Sequence, residues 1–143
     1  MFSKTVGYAV RAIIYIALKR GTISNTTPTE IAENLNVSES YIKKILQSLV
    51  KHEILQSHKG PKGGFTLTEI TLDTTVLEII DIIDDGATFS KCSLGLQECN
   101  PKHPCPIHFD VVGQRDSIKS KLSKRTVLQM ATAYENSNNI SLA

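Results

Sequence analysis

The chain has 143 residues, a size typical of one domain with an appendage. Hydrophobic residues make up 41% of it, charged residues 21%, and the net charge is only +2, which excludes a strongly acidic or basic protein and indicates a globular one. The first apolar run, residues 12–18, is too short for a span of about 20 residues and precedes no cleavage site, so we expect a cytoplasmic protein with no membrane partner and reduced thiols.

The first two predicted elements are helices. Residues 1–20 carry apolar side chains at helical spacing, and Gly21 is a natural end. Thr27 predicts the start of a short second helix, because threonine caps well, Pro28 suits the first helical position and Glu30 completes a capping box.

A third helix follows closely. Asn36 suits the left-handed turn between the two helices, and Ser38 is the predicted N-cap of the third. The apolar side chains of this helix lie on one face. Its outward residues are Glu39, Ser40, Lys43, Lys44, Gln47 and Lys51. Two short helices joined by a tight turn, the second one basic, are typical of a helix-turn-helix, although an ordinary helical hairpin remains an alternative.

The next segment favours DNA binding. Residues 54–58 and 64–68 alternate like strands, and the turn between them carries Lys59 and Lys62. A hairpin directly after such a helix is typical of a winged helix, and a basic tip suits phosphate contact. Residues 1–74 are therefore the predicted winged helix-turn-helix DNA-binding domain. Its candidate DNA contacts are Ser38, Ser40, Lys43, Lys44, Gln47, Lys59 and Lys62.

The second half of the chain predicts a helix, a loop and a long helix. Residues 75–106 combine a capped helix with a cysteine-bearing loop, and residues 107–135 return to a helical register. Val111, Ile118 and Leu122 form one apolar stripe on an otherwise polar helix, so we expect a second copy of the chain to bury it. Residues 136–143 are predicted to be a flexible tail. The predicted fold is mainly α, with a β-hairpin wing and a long C-terminal dimerisation helix.

Four side chains in or next to the loop suit metal binding. Cys92, Cys99 and Cys105 are separated by six and five residues, and His108 follows the last of them. These gaps are longer than the paired-cysteine spacing of zinc sites, and they suit a larger group such as an iron–sulfur cluster. Zinc and metal-free, redox-active thiols remain alternatives. No further pattern supports Cys–His catalysis, so we expect neither an enzyme nor a small-molecule substrate.

Three motifs and the cysteines together resemble the Rrf2 family of bacterial winged-helix regulators. The motifs are residues 8–12 (YAVRA), 37–41 (VSESY) and 60–65 (GPKGGF). The resemblance implies a homodimer on a palindromic operator in double-stranded DNA. It also implies a 2Fe–2S cluster bound by the three cysteines and a fourth ligand.

The fourth ligand differs between branches of that family. In the branch that regulates cluster assembly it is a histidine that maps onto His108, and in the nitric-oxide branch it is a partner's aspartate at the position of Gly7. His103, Asp85 and Asp110 are further candidates. We expect a regulator that senses redox state, nitric oxide or iron–sulfur status through the cluster. A cluster-free thiol regulator and a zinc-stabilised interaction protein are the alternatives.

Overall fold

The structure is a computed structural model that describes residues 2–21, 25–96, 99–137 and 141–143. Within these residues it contains six helices and one two-stranded antiparallel sheet, which confirms a mainly α fold with a hairpin wing. In chain order the elements are α1 Lys4–Leu18, α2 Pro28–Leu35, α3 Glu39–Lys51, β1 Leu55–His58, β2 Gly64–Leu67, α4 Val76–Asp84, α5 His108–Leu122 and α6 Val127–Glu135.

The ends of α2 follow the local signals of the sequence, with one exception. The Thr27 hydroxyl accepts a hydrogen bond from the Glu30 N–H at 3.2 Å, and Asn36 ends the helix in the left-handed conformation with φ 51°. The reciprocal half of the predicted capping box is not formed. Instead, the Glu30 carboxylate accepts from the Tyr15 hydroxyl at 3.1 Å and pairs with Lys19, so it ties α2 to α1.

The wing is docked onto the segment that precedes α2. Leu55 of β1 lies opposite Leu67 of β2, and the backbones of Thr26 and Phe65 exchange hydrogen bonds of 3.1 and 2.8 Å beside β2. At Gly64 the backbone has φ +150°, and an added Cβ would lie 2.7 Å from the Thr26 oxygen. Only glycine allows this close approach without strain, so Gly64 sets where the wing sits.

The main core lies where the apolar faces of α1, α2 and α3 meet beneath the hairpin. Ile13, Leu35 and Leu46 are among its fully buried side chains, and Val127 and Ala131 of α6 complete it. A smaller cluster joins the start of α1 to α4 and the segment after it. Its buried members are Val6, Val76, Ile80 and Phe89.

The C-terminal segment folds as two helices, so the prediction of one long helix over residues 107–135 was wrong. The Thr126 hydroxyl accepts from the Gln129 N–H at 3.2 Å, while the Gln129 side chain accepts from the Thr126 N–H at the same distance. This capping box starts α6 and fixes a non-helical backbone at Thr126. The backbone at Thr126 also bridges to Thr75 before α4, which holds the break in place.

The apolar stripe of these helices is partly covered by the chain itself. Ile118 and Leu122 pack against the smaller cluster, and Val127 and Ala131 are buried in the main core. Val111, Ile118 and Leu122 are each only half-buried in one chain, so the burial of this stripe by a second copy stays a prediction.

The end of the chain also packs. Leu142 is buried, and its carbonyl accepts a hydrogen bond from Arg11 of α1 at 2.9 Å. The predicted flexible tail therefore includes an anchored end, while residues 138–140 lie outside the described residues. The predicted domain boundaries stay a prediction, although α6 packs on α1 within the predicted DNA-binding half.

Candidate nucleic-acid interface and cysteine site

Helix α3 buries its apolar face and leaves its predicted DNA-contacting face exposed. Ser40, Lys43, Lys44 and Gln47 are all exposed, as is Ser38 at the start of the helix. Ser38 is the N-cap, as predicted, and its carbonyl accepts from the backbone of the first turn, but its side chain makes no capping hydrogen bond. The helix therefore presents hydroxyl, amide and ammonium groups, which are the groups that read base edges and phosphates.

A carboxylate lies among these cations at the start of α3. Glu39 pairs with Lys43 one turn later and accepts from the hydroxyl of Thr29 of α2 at 2.8 Å. The Lys43 contact and then the Thr29 hydrogen bond lower the pKa of the Glu39 carboxyl. Glu39 belongs to the outward face predicted for this helix, but no local pattern indicates its role, since its contact with Thr29 joins two different helices.

The orientation of α3 is set by contacts with α1. The hydroxyls of Tyr41 and Thr5 lie 2.6 Å apart, and the Tyr41 ring packs edge-on against Tyr8 with the centroids 5.8 Å apart. The guanidinium of Arg11 lies 4.6 Å from the centre of the Tyr8 ring. Movement of α1 would thus move the exposed face of α3 with it.

The wing tip presents the two predicted lysines. Lys59 and Lys62 are exposed, and the Gly63 N–H donates to the Gly60 carbonyl at 2.8 Å to close the turn. The side-chain amide of Asn25 donates to the Lys62 carbonyl at 2.8 Å, which ties the turn to the segment before α2. Exposed cations therefore occur on α3 and on the wing, where they can contact phosphates. The assignment of individual DNA contacts stays a prediction.

The four predicted metal ligands lie in two pairs. The Cys99 Sγ is 3.5 Å from Nδ1 of His108, and the thiol of Cys105 lies close enough to that of Cys92 to help lower its pKa. The two pairs are joined by the backbone, because the His108 N–H donates to the Cys105 carbonyl at 3.0 Å. All three cysteines are free thiols. Within the described part of the chain, no three His, Cys, Asp or Glu side chains are placed to hold a single metal ion.

The thiol of Cys92 has a special environment. It is buried, yet its pKa is lowered because it accepts hydrogen bonds from the backbone N–H groups of Leu94 and Leu96. Burial opposes this shift, and the contact with Cys105 adds to it. Sulfur binds metals and reacts as a thiolate, so these amides favour the form that either chemistry needs.

The fourth candidate ligand is placed by α5. His108 is the first residue of that helix and only 4% exposed, whereas the alternatives His103, Asp85 and Asp110 are exposed. The neighbouring Phe109 is 72% exposed. The structure thus brings His108 into contact with Cys99 and holds the four donors as pairs, while their role as metal ligands stays a prediction.

No helix among the described residues is both long and apolar enough to cross a membrane.

Comparison with known proteins identifies the relatives of the chain. The model of the Rrf2 family, described as an iron-dependent transcriptional regulator, matches residues 2–133. A putative HTH-type transcriptional regulator of Aquifex aeolicus is 32% identical over 137 residues, which cover 94% of each protein. The HTH-type transcriptional regulator IscR of Sodalis glossinidius is 31% identical over 102 residues. That match covers 71% of this chain but only 60% of that IscR.

A solved structure has the same fold. CymR (YrzC), described as the global cysteine regulator of B. subtilis, superposes with a TM-score of 0.74 over 93% of this chain and 97% of its own. The two sequences are 24% identical, so this likeness concerns the fold. It confirms the winged-helix architecture.

Proposed function

Because the chain belongs to the Rrf2 family and is a DNA-binding transcriptional regulator, we propose that it acts in the cytoplasm as a homodimer on a palindromic duplex operator. The observation that carries the proposal is the exposed face of α3 followed by a wing with lysines at its tip. Two copies would place two such readers on successive half-sites, about 34 Å apart per helical turn.

The exposed residues divide by what each can contact. Ser40, Lys43 and Lys44 on α3 are proposed to reach base edges or the adjacent phosphates, because they lie on the first two turns of the helix. Lys59 and Lys62 on the wing are proposed to neutralise phosphates. Ser38 and Gln47 complete the proposed set and are proposed to contact the sugar–phosphate backbone.

A 2Fe–2S cluster is the proposed cofactor, held by Cys92, Cys99, Cys105 and His108. The donor set fits this group, since each iron of such a cluster takes two protein ligands and the four donors lie in two pairs. The lowered pKa of Cys92 favours the thiolate that iron binds. When bound, the cluster would supply one-electron redox chemistry and sensitivity to nitric oxide, oxygen or iron shortage.

A chain of contacts connects this site to the DNA-binding face. His108 begins α5. Ile118 of the same helix packs against the smaller group of buried apolar side chains, which includes Val6 of α1. The next residue toward the N-terminus, Thr5, bonds to Tyr41 of α3. A change in how α5 sits would therefore be passed to α3 through α1. A coupling of about 1–3 kcal/mol between the two sites would suffice for regulation.

The cluster proposal is tested by anaerobic purification, an absorption spectrum and an iron count, with wild type beside His108→Ala. We expect a coloured wild type with two irons per chain, and a variant with less iron or a shifted spectrum. Equal cluster content and spectra in both proteins would remove His108 as the ligand. Equal affinity for a duplex operator with and without cluster would contradict the coupling.

A cluster-free thiol regulator is the second candidate function, and one contact favours it. Cys92 is a low-pKa thiol beside the thiol of Cys105, so an oxidant such as peroxide could remove two electrons and two protons and leave a disulfide. The fold neighbour CymR is described as a cysteine regulator, although that describes CymR alone. A colourless, iron-free protein whose DNA affinity changes on peroxide treatment would favour this function over the cluster.

A further inference from the structure

Two opposite charges lie side by side at the start of α3, on the helix that is proposed to contact DNA. The Nζ of Lys43 is 2.5 Å from one carboxylate oxygen of Glu39, and the other oxygen accepts from the Thr29 hydroxyl of α2 at 2.8 Å. Glu39 is the first residue of α3, and in a helix-turn-helix the N-terminal residues of the second helix contact base edges. The pair therefore lies where such a motif reads sequence, although a carboxylate cannot bind phosphate.

Both members of the pair retain hydrogen-bonding capacity. Each carboxylate oxygen has a second lone pair, and an ammonium has further N–H donors beyond the one that Glu39 takes. The side chain of Lys43 is 49% exposed and that of Glu39 is 40% exposed. Lys43 and then Thr29 lower the pKa of the Glu39 carboxyl, so the ionised form, which only accepts, is favoured. The pair thus offers an accessible acceptor next to an accessible donor.

A second helix fixes where this pair sits. A lysine alone is a flexible point charge, and an exposed ion pair by itself contributes little. Here the hydrogen bond from Thr29 holds the Glu39 carboxylate at the boundary of α2 and α3, and the carboxylate in turn holds the ammonium of Lys43. Donor and acceptor are therefore presented in a defined order, and not as two independent charges.

The major-groove edge of a C·G base pair has the complementary pattern. Cytosine offers its N4 amine as a donor, and guanine offers O6 and N7 as acceptors. N4 and O6 are hydrogen-bonded to each other within the pair, so they lie about 2.9 Å apart. This spacing is close to the 2.5 Å between the charged atoms of Lys43 and Glu39. In an A·T pair, an acceptor (N7) would lie beside the carboxylate and the thymine methyl beside the ammonium, so that pair fits less well.

We propose that Glu39 and Lys43 together read one C·G base pair, the carboxylate accepting from cytosine N4 and the ammonium donating to guanine O6 or N7. Glu39 is then a specificity-determining residue, and Thr29 is a positioning residue that acts through it. The assignment rests on the proposed function, because the start of α3 must enter the major groove. Two copies of the chain would place one such base pair in each half-site.

Selection of duplexes from a random library, followed by sequencing, tests the assignment on the full chain purified anaerobically. Wild type is expected to select one position in each half-site at which C·G is preferred by about tenfold or more. Glu39→Ala and Lys43→Ala are each expected to lose most of this preference at that same position and to keep the rest of the selected sequence. Thr29→Ala is expected to weaken the preference by a few-fold, because the carboxylate is held less firmly.

A matched control separates base reading from a simple change of charge. Glu33 of α2 is exposed and lines the same groove as Glu39, so Glu33→Ala removes the same charge nearby and is expected to keep the C·G preference. Selection of the same bases by wild type and Glu39→Ala would overturn the proposal. Loss of two different positions in the Glu39 and Lys43 variants would also overturn it. A wild type that binds no duplex would contradict the proposed function itself.

A double-mutant cycle shows whether the two side chains act as a unit. Fluorescence anisotropy gives the affinities for the selected duplex and for one in which the C·G pair is replaced by A·T. Residues that share one contact have non-additive effects, so the variant lacking both side chains is expected to discriminate no worse than either single variant. Losses of discrimination that multiply in this double variant would contradict the reading of one base pair by both residues.

Discussion

Helices α1 and α5 have the same length and very different surroundings. Each has 15 residues, but α1 buries six of them and α5 buries only His108. The winged-helix half is held by apolar packing around α1, whereas the region of α5 carries free thiols and two buried guanidinium nitrogens of Arg115 that have no hydrogen-bond partner. One half of the chain is therefore stabilised by its own core, whereas the other half retains polar groups, among them the donors proposed to bind a cluster.

The largest expected effect is a core truncation in the winged helix. Leu46→Ala should lower the free energy of unfolding by about 2–5 kcal/mol, because Leu46 is fully buried and its removal leaves a cavity. Ile118→Ala, on the half-buried face of α5, should cost about 1 kcal/mol. Urea denaturation measures both. Equal losses would contradict the contrast between the two halves.

Two glycine substitutions should have opposite signs. Gly64→Ala should destabilise the protein by about 1–3 kcal/mol. The positive φ of this residue is strained for alanine, and the added Cβ would collide with the Thr26 oxygen. Gly113→Ala in α5 should stabilise it by about 0.5–1 kcal/mol, since the space there is open and alanine favours a helix. A stabilised Gly64→Ala variant in the same denaturation experiment would show that the wing is not docked as described.

DNA binding should depend on lysines of the winged-helix half only. Lys44→Gln and Lys62→Gln should each lower the salt dependence of duplex binding, by about one unit in the slope of log affinity against log salt. Lys102→Gln, at an exposed position of the cysteine-bearing segment, is the matched control and should leave the slope unchanged. Fluorescence anisotropy at several salt concentrations measures the slope. If Lys102→Gln reduces the slope as much as the other two variants do, the DNA interface extends beyond the winged helix.

The smallest effect concerns the ion pair of Glu39. The pKa of the Glu39 carboxyl is lowered, so its contact with Lys43 stabilises the fold at pH values above the ordinary pKa of a glutamate. This contribution is lost as the pH falls through the lowered pKa. NMR titration of the carboxyl carbon should give a midpoint below the ordinary one. Lys43→Gln should move that midpoint upward, because the largest cause of the shift is removed. An unchanged midpoint in the variant would contradict the assignment of the pKa shift to Lys43.

Much of the winged helix could be predicted because its signals are local. Thr27 and Asn36 start and end α2 by contacts within four residues, and alternation predicted both strands of the hairpin. The same kind of signal was present at Thr126 and Gln129, but the longer-range periodicity of the segment was given more weight. Periodicity alone therefore predicts one long helix, which the structure divides into two.

The sequence by itself determined the capped helices, the glycine-dependent wing and the four donors of the cysteine site. Only the tertiary structure decided that Ile118 and Leu122 pack partly within the chain, that the donors lie in two pairs, and that two nitrogens of Arg115 are buried without a hydrogen-bond partner. Caps and turns depend on neighbours along the chain, so residue types suffice to predict them. Burial and pairing depend on which distant segments meet, and that is decided by how all the apolar faces are covered at once.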